Sequence, residues 1–287
     1  MRLVMLMSVL DKTPIFILTY GRAKEQSTLK TLHKLGITEN VYLVISNDDP
    51  QIEQYRNKYS NLLKVFNRYD IQEDLMDNVE EKSGVISARN YCFNLAKSMD
   101  SKYFIMLDDD YNVFSARYVK SGKLKQAKFK SISNLFEASL ELLANTSMDC
   151  FCWAQGGDFI GGANGGMVKD QFRRKAMNVY FWKTDSPIRF MGRINEDTNM
   201  YTHYGKIGRI VLTNSFLMIN QPKTQKTENG MTNLYTDHGT YMKSMYSVIQ
   251  EPAIVSLTAM GDKHLRIHHL VNWNACCPKI VSERFKK

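Results

Sequence analysis

The sequence has 287 residues, 44% hydrophobic and 23% charged, the balance of a soluble globular protein long enough to bury a sizeable core. Its 38 Lys and Arg against 29 Asp and Glu leave a net charge of +9, which favours a polyanionic partner, nucleic acid above all; no apolar run approaches the roughly eighteen residues of a membrane span. The cysteines Cys92, Cys150, Cys152, Cys276 and Cys277 are odd in number, with one adjacent pair and one C-x-C, which excludes a disulfide framework.

The N-terminal "MRLVMLMSVL" carries one Arg and a short apolar run but no small-residue cleavage site. It is expected to be an added strand or to follow from an upstream start codon, not a secretory signal. "TPIFILTYG" then reads as a first strand ended by Gly21, and "KEQSTLKTLHKLG" as a helix with Leu29, Leu32 and Leu35 on one face and Gly36 at its end. "VYLVISN" is a second strand, "QIEQYRNKYS" a helix, "LLKVFN" a third strand, "GVISARNYCFNLAKS" an amphipathic helix and "KYFIMLDDD" a fourth strand. Strands apolar on both faces, alternating with helices of about ten residues, predict a mostly parallel sheet with covered faces. Ligands of such sheets bind at the carboxyl ends of strands, where "TYGR", "NDD" and "DDD" all fall.

Beyond the fourth strand, "VKSGKLKQAKF" brings five lysines between Lys120 and Lys130 and reads as a solvated loop, with a phosphate-tracking segment as the alternative. "ISNLFEASLELLANT" is an amphipathic helix and "CFCWAQ" a strand. "GGDFIGGANGGM" holds six glycines in twelve residues but lacks the GK[ST] of a P-loop; it suits close backbone approach to a sugar or nucleotide, or a plain flexible loop. "KDQFRRKAMNVYFWK" interleaves Arg173 and Arg174 with Tyr180, Phe181 and Trp182, the pattern of a surface that stacks an exposed base and equally of an ordinary strand with a basic flank. No repeat, linker or low-complexity tract divides the chain, so one domain is expected.

Three consecutive aspartates at a strand end repel one another unless something positive sits between them. An Asp-x-Asp pair, Asp108 and Asp110, can bridge Mn²⁺ or Mg²⁺, which take one or two carboxylates and complete their shell with water and substrate phosphate. Asp109 would then point to the sugar or ribose. Arg89, in the helix that leads into this strand, would approach the same edge and pair with phosphate or with the aspartates.

Together "PIFILTYGRA", "GVISARN", "FIMLDDD" and "NEDTN", in that order, resemble a glycosyltransferase of GT-A fold. "TYGR", with "GRINEDTNMYTHYGKIG" followed by "TENGMTNLY", is similar to the TET/JBP-associated glycosyltransferases, many of them phage-encoded, which glycosylate hypermodified DNA bases such as 5-hydroxymethylcytosine. The resemblance covers roughly residues 14 to 220. It implies an α/β, Rossmann-like GT-A domain over residues 1–287, with a nucleotide-binding half at 14–118 and an acceptor-binding half with a C-terminal extension at 119–287. It further implies a UDP-sugar donor, a DNA acceptor, Mn²⁺ or Mg²⁺ as cofactor, no membrane, and a cytoplasmic enzyme.

Residue by residue, the resemblance places Thr19, Tyr20, Gly21 and Arg22 around the nucleotide, Asp48 or Asp49 near the base, and Arg89 on the diphosphate side. Asp108 and Asp110 would hold the metal, with His268 or His269 as a third ligand, His268 favoured. Asp197 or Glu196 would take the proton from the acceptor hydroxyl. Arg173, Arg174, Trp182 and Lys226 are expected to meet the acceptor, and Thr224 to Tyr241 to form a loop that closes over donor or acceptor. A zinc site from Cys276, Cys277, His268 and His269 would follow no standard spacing, so buried free thiols are expected instead. Two other readings are a transferase acting on a cell-surface or lipid-linked glycan, and an inactive nucleic-acid-binding module. A nucleotidyltransferase matches "TYGRAKEQ" poorly.

Overall fold

The computed structural model describes residues 8–71, 84–170, 172–221, 243–260 and 266–276. Short apolar, β-branched-rich runs form β1 (Ile15–Leu18), β2 (Val41–Ser46), β3 (Leu63–Phe66) and β4 (Tyr103–Asp108), separated by α1 (Ser27–Lys34), α2 (Ile52–Tyr59) and α3 (Gly84–Ser98). All four strands pair in parallel in the order β3-β2-β1-β4, with Leu18 level with Asp108, so the carboxyl ends of β1 and β4 lie side by side. Neighbouring strands of one direction need crossovers, and the three helices supply them.

Residue alternation explains why both strand faces are apolar. Ile15 and Ile17 of β1, Leu43 and Ile45 of β2, and Ile105 and Leu107 of β4 pack with Leu29 and Leu32 of α1, Tyr55 of α2 and the apolar residues of α4 (Ser133–Ala144). Phe16, Val44, Phe104 and Met106, one residue out of phase, pack on the other face with Ile86, Cys92 and Phe93 of α3.

The second half extends the same sheet. β5 (Val113–Lys120), β6 (Lys123–Lys128), β7 (Cys150–Gln155), β8 (Phe172–Arg173), β9 (Tyr180–Lys183) and β10 (Val211–Asn220) continue it as β4-β9-β7-β10-β5-β6, with β8 beside β10. β5, β8 and β9 run against the other seven, giving the α/β fold with a mostly parallel mixed sheet flanked by helices that was expected. Between β7 and β9 the glycine-rich stretch winds into two single turns, Gly156–Phe159 and Gly162–Asn164, and α5 (Gly166–Asp170), where a flexible loop was one expectation. α6 spans Glu196–Lys206, α7 residues 243–250 and α8 Trp273–Cys276, and a separate antiparallel pair is made by β11 (Val255–Met260) and β12 (Arg266–Val271).

Two expectations are corrected here. The lysine-rich stretch from Val119 to Phe129 is no loop: residues 113–128 form the β5–β6 hairpin, whose register Lys120↔Lys123 leaves a two-residue turn. Ser121 and Gly122 both have positive φ, 50° and 69°, the requirement of a type I′ turn whose twist suits a hairpin. Trp182 is 0% exposed, at the centre of β9, with Phe93 edge-on at 5.1 Å, Tyr180 stacked at 6.0 Å and Phe190 edge-on at 6.0 Å. It is core and cannot meet DNA.

Cys92, Cys150, Cys152 and Cys276 are free and buried, and Cys277 lies outside the described residues, as do Lys226 and the segment Thr224 to Tyr241. Of the N-terminal run, residues 1–7 also lie outside them, and the described Leu10–Lys12 form a single helical turn where a strand was one expectation.

Candidate active site

β4 delivers its last residue, Asp108, and the turn that follows, to the edge where β1 ends. The start of α1 pins this turn: Thr28 N–H donates to Asp109 O (3.1 Å), Thr28 Oγ1 donates to Asp108 O (2.5 Å) and accepts from Tyr111 N–H (2.9 Å). The three carboxylates are thereby sent in three directions.

Asp109 turns inward and is 7% exposed. Its Oδ2 accepts from Thr19 Oγ1 (2.6 Å), and its Oδ1 pairs with the Arg22 guanidinium. Burial pushes its pKa up, against the pull of Arg22 and Thr19. Around it, Gln26 Nε2 donates to Thr19 Oγ1 (2.9 Å) and to Arg22 O (2.9 Å), while Tyr55 OH lies 2.8 Å from Thr19 Oγ1 and accepts from Arg22 N–H (3.0 Å). Asp109 was expected to face the sugar or ribose; with both oxygens engaged in this buried network it braces the first loop instead. Thr19 and Arg22 are likewise turned to Asp109, whereas Tyr20 is exposed.

Of the two acidic candidates after β2, Asp49 is buried and caps the first loop, accepting from Gly21 N–H (2.8 Å) and Gln51 N–H (2.7 Å). Asp48 is more open and pairs with Arg68. Burial would raise its pKa, but hydrogen bonds from Ser46 and Arg68 hold it below the usual value.

Asp108 meets Arg89, whose Nη2 lies 3.4 Å from Asp108 Oδ1. The same guanidinium donates through Nε to Glu196 Oε1 at 3.2 Å. Arg89 is buried, with its guanidinium carbon 5.2 Å from the ring centres of Tyr180 and Phe190. Burial alone would lower its pKa, but Tyr180, Asp108 and Glu196 outweigh it and hold Arg89 firmly charged. One cation thus joins the end of β4 to the start of α6. Arg22 and Arg89 are the positive groups that the aspartate triplet demands.

Asp110 has neither. Its Oδ1 is buried and finds no hydrogen-bond partner among the described residues. Burial, then the neighbouring Asp108 and Asp109, push its pKa up to about 7. A buried carboxylate oxygen without a partner costs free energy. A divalent cation shared with Asp108 would remove that cost, and hard oxygen donors are what Mg²⁺ and Mn²⁺ prefer. The pair therefore fits such an ion.

His268 does not join this pair: among the described residues no three His, Cys, Asp or Glu side chains gather to hold a metal. It lies on β12, its Nδ1 donating to His269 O at 2.7 Å, in the separate two-stranded sheet. The expected third ligand is corrected on that ground; His269, tilted against His268 with ring centres 4.4 Å apart, fares no better.

At the start of α6 the two acidic candidates separate. Glu196 is buried and given to Arg89, and burial followed by the charge of Asp197 pushes its pKa up. Asp197 is half-buried, has no ion-pair partner among the described residues, and accepts only from Thr198 N–H (2.6 Å). Asn195, in left-handed conformation (φ 56°), sets the entry into the helix, with its Nδ2 donating to Lys243 O (2.6 Å) and Ser247 Oγ (3.0 Å) of α7. Arg193 N–H donates to Tyr246 OH at 3.0 Å. Of the basic candidates, Arg174 donates to Arg209 O (2.6 Å), and Arg173 sits on β8 beside Thr213. Tyr55, Tyr180 and Phe190, which shape the two arginine sites, stand far from them in sequence, and neither they nor Gln26 belong to a motif.

A model of the TET-Associated Glycosyltransferase family matches residues 13–231. Similar solved structures include a mycobacterial protein (9% identity, 92% of this chain and 86% of that chain, TM-score 0.44). Others are the glucosyl-3-phosphoglycerate synthase of Mycobacterium tuberculosis in complex with Mn²⁺, UDP and phosphoglyceric acid (11%, 90% and 87%, TM-score 0.42) and a cytidylyltransferase from Leptospira borgpetersenii (12%, 60% and 60%, TM-score 0.32). No curated protein matches the chain.

Proposed function

The chain belongs to the TET-associated glycosyltransferase family and is a glycosyltransferase, and from that premise we propose that it moves a sugar from a UDP-sugar to a 5-hydroxymethylpyrimidine in DNA, or to a sugar already on that base. The observation that carries the assignment of the catalytic edge is the unequal fate of three adjacent carboxylates. Asp109 and Asp108 are answered by Arg22 and Arg89, while Asp110 keeps a buried oxygen without a partner. That asymmetry supports a cation held by Asp108 and Asp110, and so a substrate that brings a diphosphate.

When bound, the cation would neutralise charge on the departing diphosphate. Arg89, fixed between Asp108 and Glu196, positions the metal-binding carboxylate relative to the start of α6. Asp197, free of any ion pair there, is the base: it takes the proton of the acceptor hydroxyl as that oxygen bonds to the anomeric carbon. The sugar–phosphate bond breaks, and its electron pair leaves with UDP. Glu196 cannot take this role without abandoning Arg89, so it positions and Asp197 reacts. Arg173 and Arg174 flank the acceptor side in this reading, Tyr20 and Asp48 the nucleotide, and both substrates are found in the cytoplasm. Among the described residues no helix is long and apolar enough to cross a membrane.

The test is transfer from radiolabelled UDP-glucose, with Mn²⁺, to unmodified DNA, to DNA carrying 5-hydroxymethylcytosine, and to the glucosylated form. Label is expected in a modified DNA only, to vanish with a chelator, and to fall at least about a hundredfold in Asp110→Asn and Asp197→Asn. Metal-dependent UDP release without label in any DNA would keep the transferase and reject the acceptor. DNA binding with no turnover for any donor would favour an inactive binding module.

A further inference from the structure

The β5–β6 hairpin has no part in the chemistry above, yet it carries four lysines and an arginine in sixteen residues. Beyond Ala116 it parts from β10, and residues 117–126 continue as a free two-stranded ribbon. Residues directly opposite share a face, and faces alternate along each strand. One face is occupied: the Arg117 guanidinium carbon lies 5.1 Å from the Phe159 ring centre, Leu124 packs on the cluster of Phe159, Met167 and Met218, and Gln126 Nε2 donates to Ser115 Oγ and Asn220 Oδ1, both at 2.9 Å. The other face carries Tyr118 opposite Lys125 and Lys120 opposite Lys123. All four are exposed, Tyr118 at 44%. Among the described residues none of the three lysines has a hydrogen-bond or ion-pair partner, and no Asp or Glu occurs between Tyr111 and Phe136 to provide one.

We infer that this lysine face is a docking surface for the phosphate backbone of duplex DNA, holding the acceptor while its target base is at the carboxylates. The inference rests on the reading of the acceptor as DNA. Three unpaired cations on one face of a ribbon complement a polyanion, and each phosphate contact releases condensed counterions. An anionic membrane is the poorer partner, because the turn Ser121-Gly122 carries no apolar side chain and the lysine face offers only Tyr118 beside it. The reach is also suitable. β5 begins three residues after Asp110 and is about 26 Å long at ~3.3 Å per residue, less than one ~34 Å turn of duplex. β5 starts beside the carboxylates and runs antiparallel to β10, so its lysine tip lies about one strand length from them, a span that one turn of duplex covers.

The test compares wild type with K120T/K123T/K125T, which keeps the strand propensity, and with K120R/K123R/K125R, which keeps the charge. Binding to a duplex containing 5-hydroxymethylcytosine is measured from 50 to 200 mM salt, with kcat/KM for that duplex and for a hydroxymethylated dinucleotide. The threonine variant is expected to show a log–log salt slope shallower by about 2.7, at ~0.9 per phosphate contact, with lower kcat/KM on the duplex. Its turnover of the dinucleotide should be unchanged, and the arginine variant should behave as wild type. An unchanged salt slope in the threonine variant, with wild type active on duplex, would overturn the ribbon and leave the DNA acceptor standing. Wild type that neither binds nor modifies any DNA would overturn both. Capture of wild type by phosphatidylserine vesicles, at salt where duplex is not bound, would replace DNA by a membrane surface.

Discussion

Arg89 is a single planar group asked to satisfy two carboxylates from separate elements, Glu196, 107 residues away, through Nε and Asp108 through Nη2. A lysine ammonium is a point charge on a flexible stem and cannot hold both from fixed donors. Arg89→Lys is therefore expected to fold but to lose transfer rate more than donor affinity, seen as a fall in kcat with KM for UDP-sugar within about twofold. Arg89→Met removes the charge and leaves Glu196 buried beside Asp197. Breaking a buried pair in this way costs about 3–5 kcal/mol, so chemical denaturation should show a loss of that order. If Arg89→Met were as stable as wild type, Glu196 would have to be neutral in the folded protein, and the bridge described here would not exist.

At the scale of elements, the start of α6 depends on backbone that few residues can adopt. Gly192 has φ +77°, and a Cβ there would come within 2.3 Å of Asn199 Nδ2 and 2.9 Å of Gln250 Oε1. Gly192→Ala combines left-handed strain of about 1–2 kcal/mol with a clash against α6 and α7 together. It is expected to lower stability by more than about 2 kcal/mol and to cut transfer by displacing Asp197; an active, equally stable alanine variant would show that this corner is not held as described. α7 lies beyond the stretch matched by the family model, yet Lys243, Tyr246 and Ser247 brace this corner.

The strands and helices of the first half were legible because each apolar run is short, bounded by turn residues, and agrees with its neighbours. The β5–β6 hairpin was not, since its lysines give the segment the composition of a solvated loop, although its Ser-Gly turn and alternating Lys-Leu-Lys pattern are hairpin signals. The aspartates and Arg89 were legible as a motif. Which aspartate would turn inward was not, because Thr19, Arg22, Gln26 and Tyr55 decide it from distant positions. The pairing of Glu196 with Arg89, which separates it from Asp197, is equally long-range.

Across the whole molecule, burial on both faces of one sheet sorts the aromatic residues from the surface. Phe181 and Trp182 are adjacent, yet Phe181 packs with Phe136 and Trp153 on one face while Trp182 packs with Phe93 on the other. Truncating a buried Trp costs about 3–5 kcal/mol. Trp182→Ala should therefore lower the unfolding free energy by that order, whereas its DNA affinity below the melting transition should equal that of wild type. Weakened binding by a folded variant would return Trp182 to the surface assignment rejected above.

The place of β5 in this sheet also fixes when the carboxylate corner can be completed. β5 leaves the Asp110 turn directly, yet its partner within the main sheet is β10, with Phe114 level with Ile219. During synthesis the intervening hundred or so residues emerge at roughly 5–20 per second, so for about 5–20 s β5 has only β6 beside it. Until β10 arrives to close that gap, the turn carrying Asp110 is anchored only from the N-terminal side, by Thr28 of α1, by Thr19 and Arg22 through Asp109, and by Arg89 through Asp108. The nascent chain thus lays down its most charged corner early and secures it only near the end.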